Sequence, residues 1–177
     1  MTAGREPISR TKDWCTPPEY VEAVKEVFGG TIALDPCSNA HSVVGAEVSL
    51  SLPADGLEGS WGSYPTVYVN PPYGRDARRG TTIRDWLAKC SEARGCGSEV
   101  LALIPVAANT RHWREHVFTA TGICFLKVAR LKFLLNGSAA GKGAPMACAV
   151  VYWGDDFERF RRVFRPFGAV LRCPDAL

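Results

Sequence analysis

The run Val67-Tyr68-Val69-Asn70-Pro71-Pro72-Tyr73-Gly74 places the tightest constraint on how this chain can fold. Its β-branched and aromatic residues favour a buried strand, and its two prolines remove consecutive backbone donors and forbid the strand's continuation. The strand is therefore expected to stop at Asn70. A stiff loop follows, which holds an amide side chain and an aromatic ring at the carboxyl end of a strand, where open α/β sheets place their ligands. Asn70 can both donate and accept hydrogen bonds, Pro71 offers a carbonyl without an N–H, and Tyr73 offers a flat face. Such a set suits a planar ring carrying an exocyclic amine. The plainer reading is a proline-rich turn after an edge strand.

The chain around this loop has 177 residues, enough for one domain with a sizeable core, expected over residues 13–177 behind a leader of residues 1–12 without periodicity. With 46% hydrophobic and 22% charged residues, the composition is that of a globular protein and excludes a largely disordered one. The net charge of +3 is too small to indicate nucleic-acid binding by itself. No apolar run approaches the ~20 residues that span a bilayer, so no membrane partner is expected and the protein should be soluble and cytoplasmic. Seven cysteines without a Cys-x-x-Cys pair indicate neither a disulfide framework nor a zinc ribbon.

Strands and helices alternate along the rest. Thr16 before Pro17 reads as a helix N-cap, with Tyr20, Val21, Val24, Val27 and Phe28 at helical spacing and Gly29-Gly30 as the stop. Thr31 to Leu34 reads as a short buried strand ending at Asp35. Between Cys37 and Tyr64 at most one short strand is expected, so the sheet should be trimmed. Ile83, Trp86, Leu87 and Cys90 mark a helix ending by Gly95, and Val100 to Ile104 a buried strand stopped by Pro105. A short helix over 110–118 and a strand from Gly122 to Leu126 follow. Leu131–Leu135 and Met146–Trp153 read as a hairpin with a long glycine-rich tip from Asn136 to Pro145. Asp155-Asp156 can cap a last helix bearing Phe157, Phe160, Val163 and Phe164 on one face, with an edge strand from Ala169 to Arg172. The pattern is that of an α/β sheet covered on both faces.

The Asn70 loop resembles the Asn/Asp-Pro-Pro-Tyr motif of amino methyltransferases. Four further motifs extend the likeness: Asp13-Trp14-Cys15-Thr16-Pro17, Leu34-Asp35-Pro36-Cys37-Ser38-Asn39-Ala40, Asp55-Gly56-Leu57 with Trp61, and Arg130-Leu131-Lys132-Phe133 followed by Ala144-Pro145. In this order and approximate spacing they resemble the phage DNA N6-adenine methyltransferase family, of phage Dam type. The resemblance implies a compact class I S-adenosylmethionine-dependent methyltransferase fold, Rossmann-like, with a trimmed, mostly parallel sheet and an antiparallel strand. It implies methyl transfer from S-adenosylmethionine to the N6 amine of adenine in DNA, in a bacterial cell or phage-infected host, in DNA modification or restriction.

By the same resemblance, Asn70, Pro71, Pro72 and Tyr73 would be catalytic. Trp14, Thr16, Pro17, Asp35, Pro36, Cys37, Asn39 and Asp55 would bind the cofactor, with Glu47 as competitor to Asp55 for its adenine or ribose. Chemistry agrees in part, because a carboxylate at a strand's end can accept from the cofactor's ammonium and a side-chain amide can serve its carboxylate. The Gly-x-Gly loop of many methyltransferases is absent after Asp35. Arg75, Arg78 and Arg79 directly follow the loop and could form a phosphate-contacting rim, against the plainer reading of solvated charge. His112 and His116 stand four apart but lack the glutamate of the zinc-protease pattern, so no metal is expected. Two alternatives stay open: another amine acceptor (cytosine N4, RNA adenine or a protein glutamine), or a non-catalytic DNA-binding or antirestriction protein.

Overall fold

The computed structural model describes residues 14–136, 138–139, 144 and 146–174, so the leader expected over 1–12 lies outside the described residues. In chain order the elements are β1 (Trp14–Cys15), α1 (Pro18–Val27), β2 (Leu34–Asp35), β3 (Val48–Ser49), β4 (Thr66–Val69), α2 (Ile83–Gly95) and β5 (Glu99–Pro105). There follow a π-helical turn (Trp113–Val117), β6 (Gly122–Leu126), β7 (Leu134–Leu135), β8 (Ser138–Ala139), β9 (Cys148–Trp153), α3 (Phe157–Phe164) and β10 (Gly168–Arg172).

Seven strands form one mixed sheet in the order β10-β6-β9-β5-β4-β2-β3. β2 pairs in parallel with β3 and β4, and β4 with β5. β9 lies antiparallel between β5 and β6, which turns β6 back into the direction of β2 to β5, and β10 opposes β6 at the edge. The sheet thus has two opposed strands where one was expected. From β2 the chain goes to β3 on one side and then to β4 on the other, so the strand order reverses at β2 and β4. In open α/β sheets a crevice opens at the carboxyl ends of such a pair.

The middle of the sheet is dry. Val67, Tyr68 and Val69 of β4 and Val100 to Ile104 of β5 are each at most 1% exposed, as near-continuous apolar runs require. Tyr68, Leu101 and Leu103 face α1 and α3, whereas Val67, Val69, Val100, Ala102 and Ile104 face α2 and the π-helical turn. Both faces are covered, in keeping with the period-2 alternation of strands. Asp85 accepts from the Thr82 N–H at 2.7 Å and so starts α2, and Asp156 accepts from the Arg159 N–H at 2.8 Å and starts α3. Among the described residues no helix is long and apolar enough to cross a membrane.

Two expectations need correction. Thr16 does not cap α1: Pro17 is the cap residue, with Pro18 in the first turn, and the Thr16 hydroxyl shares a 2.7 Å hydrogen bond with the Tyr68 hydroxyl. A proline in the first turn already meets the helix's need, because its missing donor has no partner there anyway. Among the described residues, 131–135 and 146–153 also do not pair as a hairpin. β9 enters the middle of the main sheet, where all its residues are buried. The half-buried β7 pairs instead with β1 and with β8, giving a second, three-stranded sheet. The two runs look alike in apolar content, but only the longer one has enough apolar surface to be worth covering on both faces. Of the glycine-rich tip, residues 137, 140–143 and 145 lie outside the described residues.

Candidate active site

β2 and β4 end side by side at the point of reversal, and their last residues look into one small pocket. Trp14, Thr16, Asp35, Cys37, Asn39 and Asn70 line it. Five motif segments far apart in sequence are brought together here or beside it.

Asp35 is 3% exposed. Its Oδ1 accepts from the Cys37 N–H at 3.2 Å and its Oδ2 from the Ser42 hydroxyl at 3.4 Å. These neutral donors do not make up for lost water, and burial pushes the carboxyl from 3.8 up to about 6. Burial, and then the Asp35 charge beside it, push the Cys37 thiol well above its ordinary range, so Cys37 stays a thiol. Asn39 Oδ1 accepts from the His41 N–H at 2.9 Å and lies 3.5 Å from the Cys15 sulfur, which folds the loop after β2 under β1.

Asn70 lies where the proline pair ends β4. Its Nδ2 donates to the Trp14 carbonyl at 3.3 Å, which fixes which end of the amide is which. Oδ1 is then the end left to accept. Pro71 is buried and Pro72 exposed. The Tyr73 ring is half-buried, with its hydroxyl donating to the Leu103 carbonyl at 3.3 Å and its edge packed on Phe133 at 5.9 Å between centroids. Phe133 also meets Trp14 at 6.1 Å, so one ring ties the three-stranded sheet to the Asn70 loop.

Pro17 and Pro36 are buried next to the pocket without lining it. Asp55 is not among the lining residues. Its carboxylate holds the Leu57 N–H at 3.0 Å and the Arg79 guanidinium at 2.6 Å. Its turn still reaches the site through Gly56, where a side-chain carbon would stand 1.7 Å from the Pro36 carbonyl oxygen, and Trp61 Nε1 donates to the Gly56 carbonyl at 2.8 Å. Glu47 is exposed and precedes β3. Arg75 and Arg78 are exposed, whereas Arg79 also pairs with Asp76 at 3.2 Å. His112 Nε2 lies 3.2 Å from the Thr110 hydroxyl and His116 Nδ1 lies 3.4 Å from that of Ser91, so the two rings serve different neighbours.

Three contributors escape a reading of the sequence. Ser42 lies seven residues beyond Asp35 in a stretch without periodicity. Tyr68 reads as core, though its hydroxyl carries Thr16. Phe133 belongs to a recognisable motif, but nothing local says which ring it meets.

Neither curated proteins nor solved structures give a match to the chain. The family model for DNA N-6-adenine-methyltransferase (Dam) matches residues 5–170. Over nearly the whole chain, then, the arrangement around Asp35 and Asn70 is carried by a member of the DNA N-6-adenine-methyltransferase (Dam) family, and the protein is a DNA adenine-N6 methyltransferase.

Proposed function

We propose that this chain binds S-adenosylmethionine against Asp35 and delivers its methyl group to adenine N6 held by Asn70 and Pro71, on a trimmed class I methyltransferase fold. The observation that carries the reading is that a buried, uncompensated carboxylate and an oriented amide end neighbouring strands and line one pocket. The reversal of strand order at β2 and β4, the short stretch on the β3 side and the antiparallel β9 all support that fold.

The residues present fit the cofactor. An ammonium group against Asp35 would supply a cation that its described surroundings do not, in a charge-assisted hydrogen bond. Asn39 and the wall around Thr16 and Trp14 offer polar and apolar surface for the rest of the methionine end. The sulfonium supplies a methyl that is already electrophilic, so the protein's work is placement and the exclusion of water. Asn70 Oδ1 and the Pro71 carbonyl accept from the amine, which draws its lone pair toward the incoming methyl and stabilises the nitrogen as positive charge develops. Tyr73 gives the base a face to stack on. Because N6 is paired within a duplex, the target leaves the stack at a cost of a few kcal/mol. Arg75 and Arg78 are placed to contact phosphates, while Arg79, held by two carboxylates, braces the loop.

The test is transfer of labelled methyl from S-adenosylmethionine to DNA, followed by nucleoside analysis. Label in N6-methyl-2′-deoxyadenosine, lost in Asn70→Ala, is expected. Label in cytosine or protein, or none with a folded wild-type protein, would overturn the assignment.

A further inference from the structure

Between Glu115 and Asp155 the sequence has no acidic residue, yet it carries Lys127, Arg130, Lys132 and Lys142. In a chain whose net charge is only +3, that is a marked segregation of charge. Lys142 lies outside the described residues, but the other three stand together on the segment that leaves β6.

β6 runs in the same direction as β2 and β4, so its carboxyl end opens on the same edge of the sheet as Asp35 and Asn70. From there the chain returns to the site. Leu131 and Phe133, each 3% exposed, point into the core, and Phe133 ends against Tyr73. Lys127, Arg130 and Lys132 are exposed, with Val128 among them at 39%. Among the described residues none of the three has an acidic partner. Many other cations are matched: Arg79 by Asp55 and Asp76, Arg84 and Arg111 by Glu115, Arg94 by Asp155, and Arg161 by Glu158.

We infer that the exposed cations of segment 127–132 form a phosphate-binding surface that seats the DNA backbone beside the target base. The inference rests on the DNA-methyltransferase reading. An unpaired row of cations on an acid-free stretch fits a polyanion, and the buried Leu131 and Phe133 anchor its carboxyl end beside Tyr73. Such contacts position the duplex without reading its sequence.

The test measures binding of a fluorescent DNA duplex to the full chain, with S-adenosylhomocysteine present, over a salt series. Neutralising Lys127, Arg130 and Lys132 together to Gln should flatten the slope of log affinity against log salt by nearly three, since each lost phosphate contact removes ~0.9. Affinity should fall alike on all sequences, and methyl transfer should show a raised, less salt-sensitive KM for DNA with kcat near wild type. Arg130→Lys should keep the wild-type slope. S-adenosylhomocysteine binding and melting temperature should be unchanged in the triple variant, which shows that it is folded. A wild-type slope in that folded variant would overturn the surface while leaving the methyltransferase reading intact, as would a loss seen with an RNA duplex and not with DNA. If wild-type protein bound the cofactor analogue but no DNA, both the surface and the DNA acceptor would fall.

Discussion

Asp35 and Asn70 end neighbouring parallel strands and line one pocket, but they are held in opposite ways. Asp35 is a negative charge out of water with only neutral donors around it among the described residues, whereas Asn70 is a neutral amide that a backbone carbonyl has already turned. The first is an unfinished interaction that a ligand cation would complete. The second needs no ligand to hold its shape, which is what an acceptor of transition-state charge requires. In the function proposed above, one strand end binds and the other catalyses.

The sharpest way to break this division is at Asn70. Asn70→Ala should lower turnover by at least ~100-fold with cofactor affinity near normal, because the lost hydrogen bond counts most as the amine nitrogen becomes positive. Asn70→Asp should fail too, although the motif of the wider class admits Asp. A carboxylate there would set an oxygen against the Trp14 carbonyl, where Nδ2 now donates. Partial recovery of the Asp variant's turnover on acidification, relative to wild type, would show that a donor is what the position needs. Wild-type turnover of Asn70→Asp at neutral pH would mean that the Trp14 contact does not set the amide.

A smaller effect with two opposite signs is expected at Asp35. Replacing it by Asn keeps an acceptor for the Cys37 N–H and turns an NH2 toward the Ser42 hydroxyl, which can accept from it, but loses the charge, so affinity for S-adenosylmethionine should fall by ~10-fold or more. The ligand-free protein should gain stability. A carboxyl raised from 3.8 to about 6 takes up its proton more readily when folded, so its ionisation costs stability as pH rises through that window. At pH 7 the cost is on the order of 3 kcal/mol. Asp35→Asn should remove it, and wild-type melting temperature should rise from pH 7 toward pH 5 more than the variant's does. A variant less stable than wild type at pH 7 would place Asp35 among the structural carboxylates instead.

How much of this was legible depends on the range over which each contact is decided. The stop of β4 follows from two adjacent prolines, α2 and α3 from their own apolar spacing and acidic caps, and β6 from its bounded run. All are settled within about ten residues. The partner of β9 is not, since six buried residues can sit between any two strands that need covering, and β5 with β6 won over β7. The motifs around Asp35 and Asn70 include residues that line the pocket, but Ser42 lies in a stretch with no period to place it, and the Trp14 carbonyl reaches Asn70 across 56 residues of chain.

Tyr73 tests the catalytic side more gently. Its hydroxyl donates to the Leu103 carbonyl, so Tyr73→Phe should lose about 1 kcal/mol of stability, the usual net value of such a bond, yet keep most of its turnover. Tyr73→Ala should lose base capture as well, because stacking needs a face. Equal turnover in the Phe and Ala variants, read beside their melting temperatures, would show that the ring only packs.

The smallest effect should come from Arg79, and it sharpens the comparison by asking what supports the binding side from behind. Arg79 links Asp55 and Asp76, and the Asp55 turn lies against Pro36 through Gly56, so the guanidinium braces the loop after β2 from two residues away. It is partly exposed, and pairs of this kind contribute up to ~1 kcal/mol. Arg79→Gln should therefore weaken S-adenosylmethionine binding by only a few-fold and leave the salt dependence of DNA binding as it was. Arg75→Gln and Arg78→Gln should do the reverse, each removing ~0.9 from the salt slope with cofactor affinity intact. If Arg79→Gln flattened the slope as much as they do, the guanidinium would have to leave Asp55 when DNA arrives, and the brace would be a contact made only in the free protein.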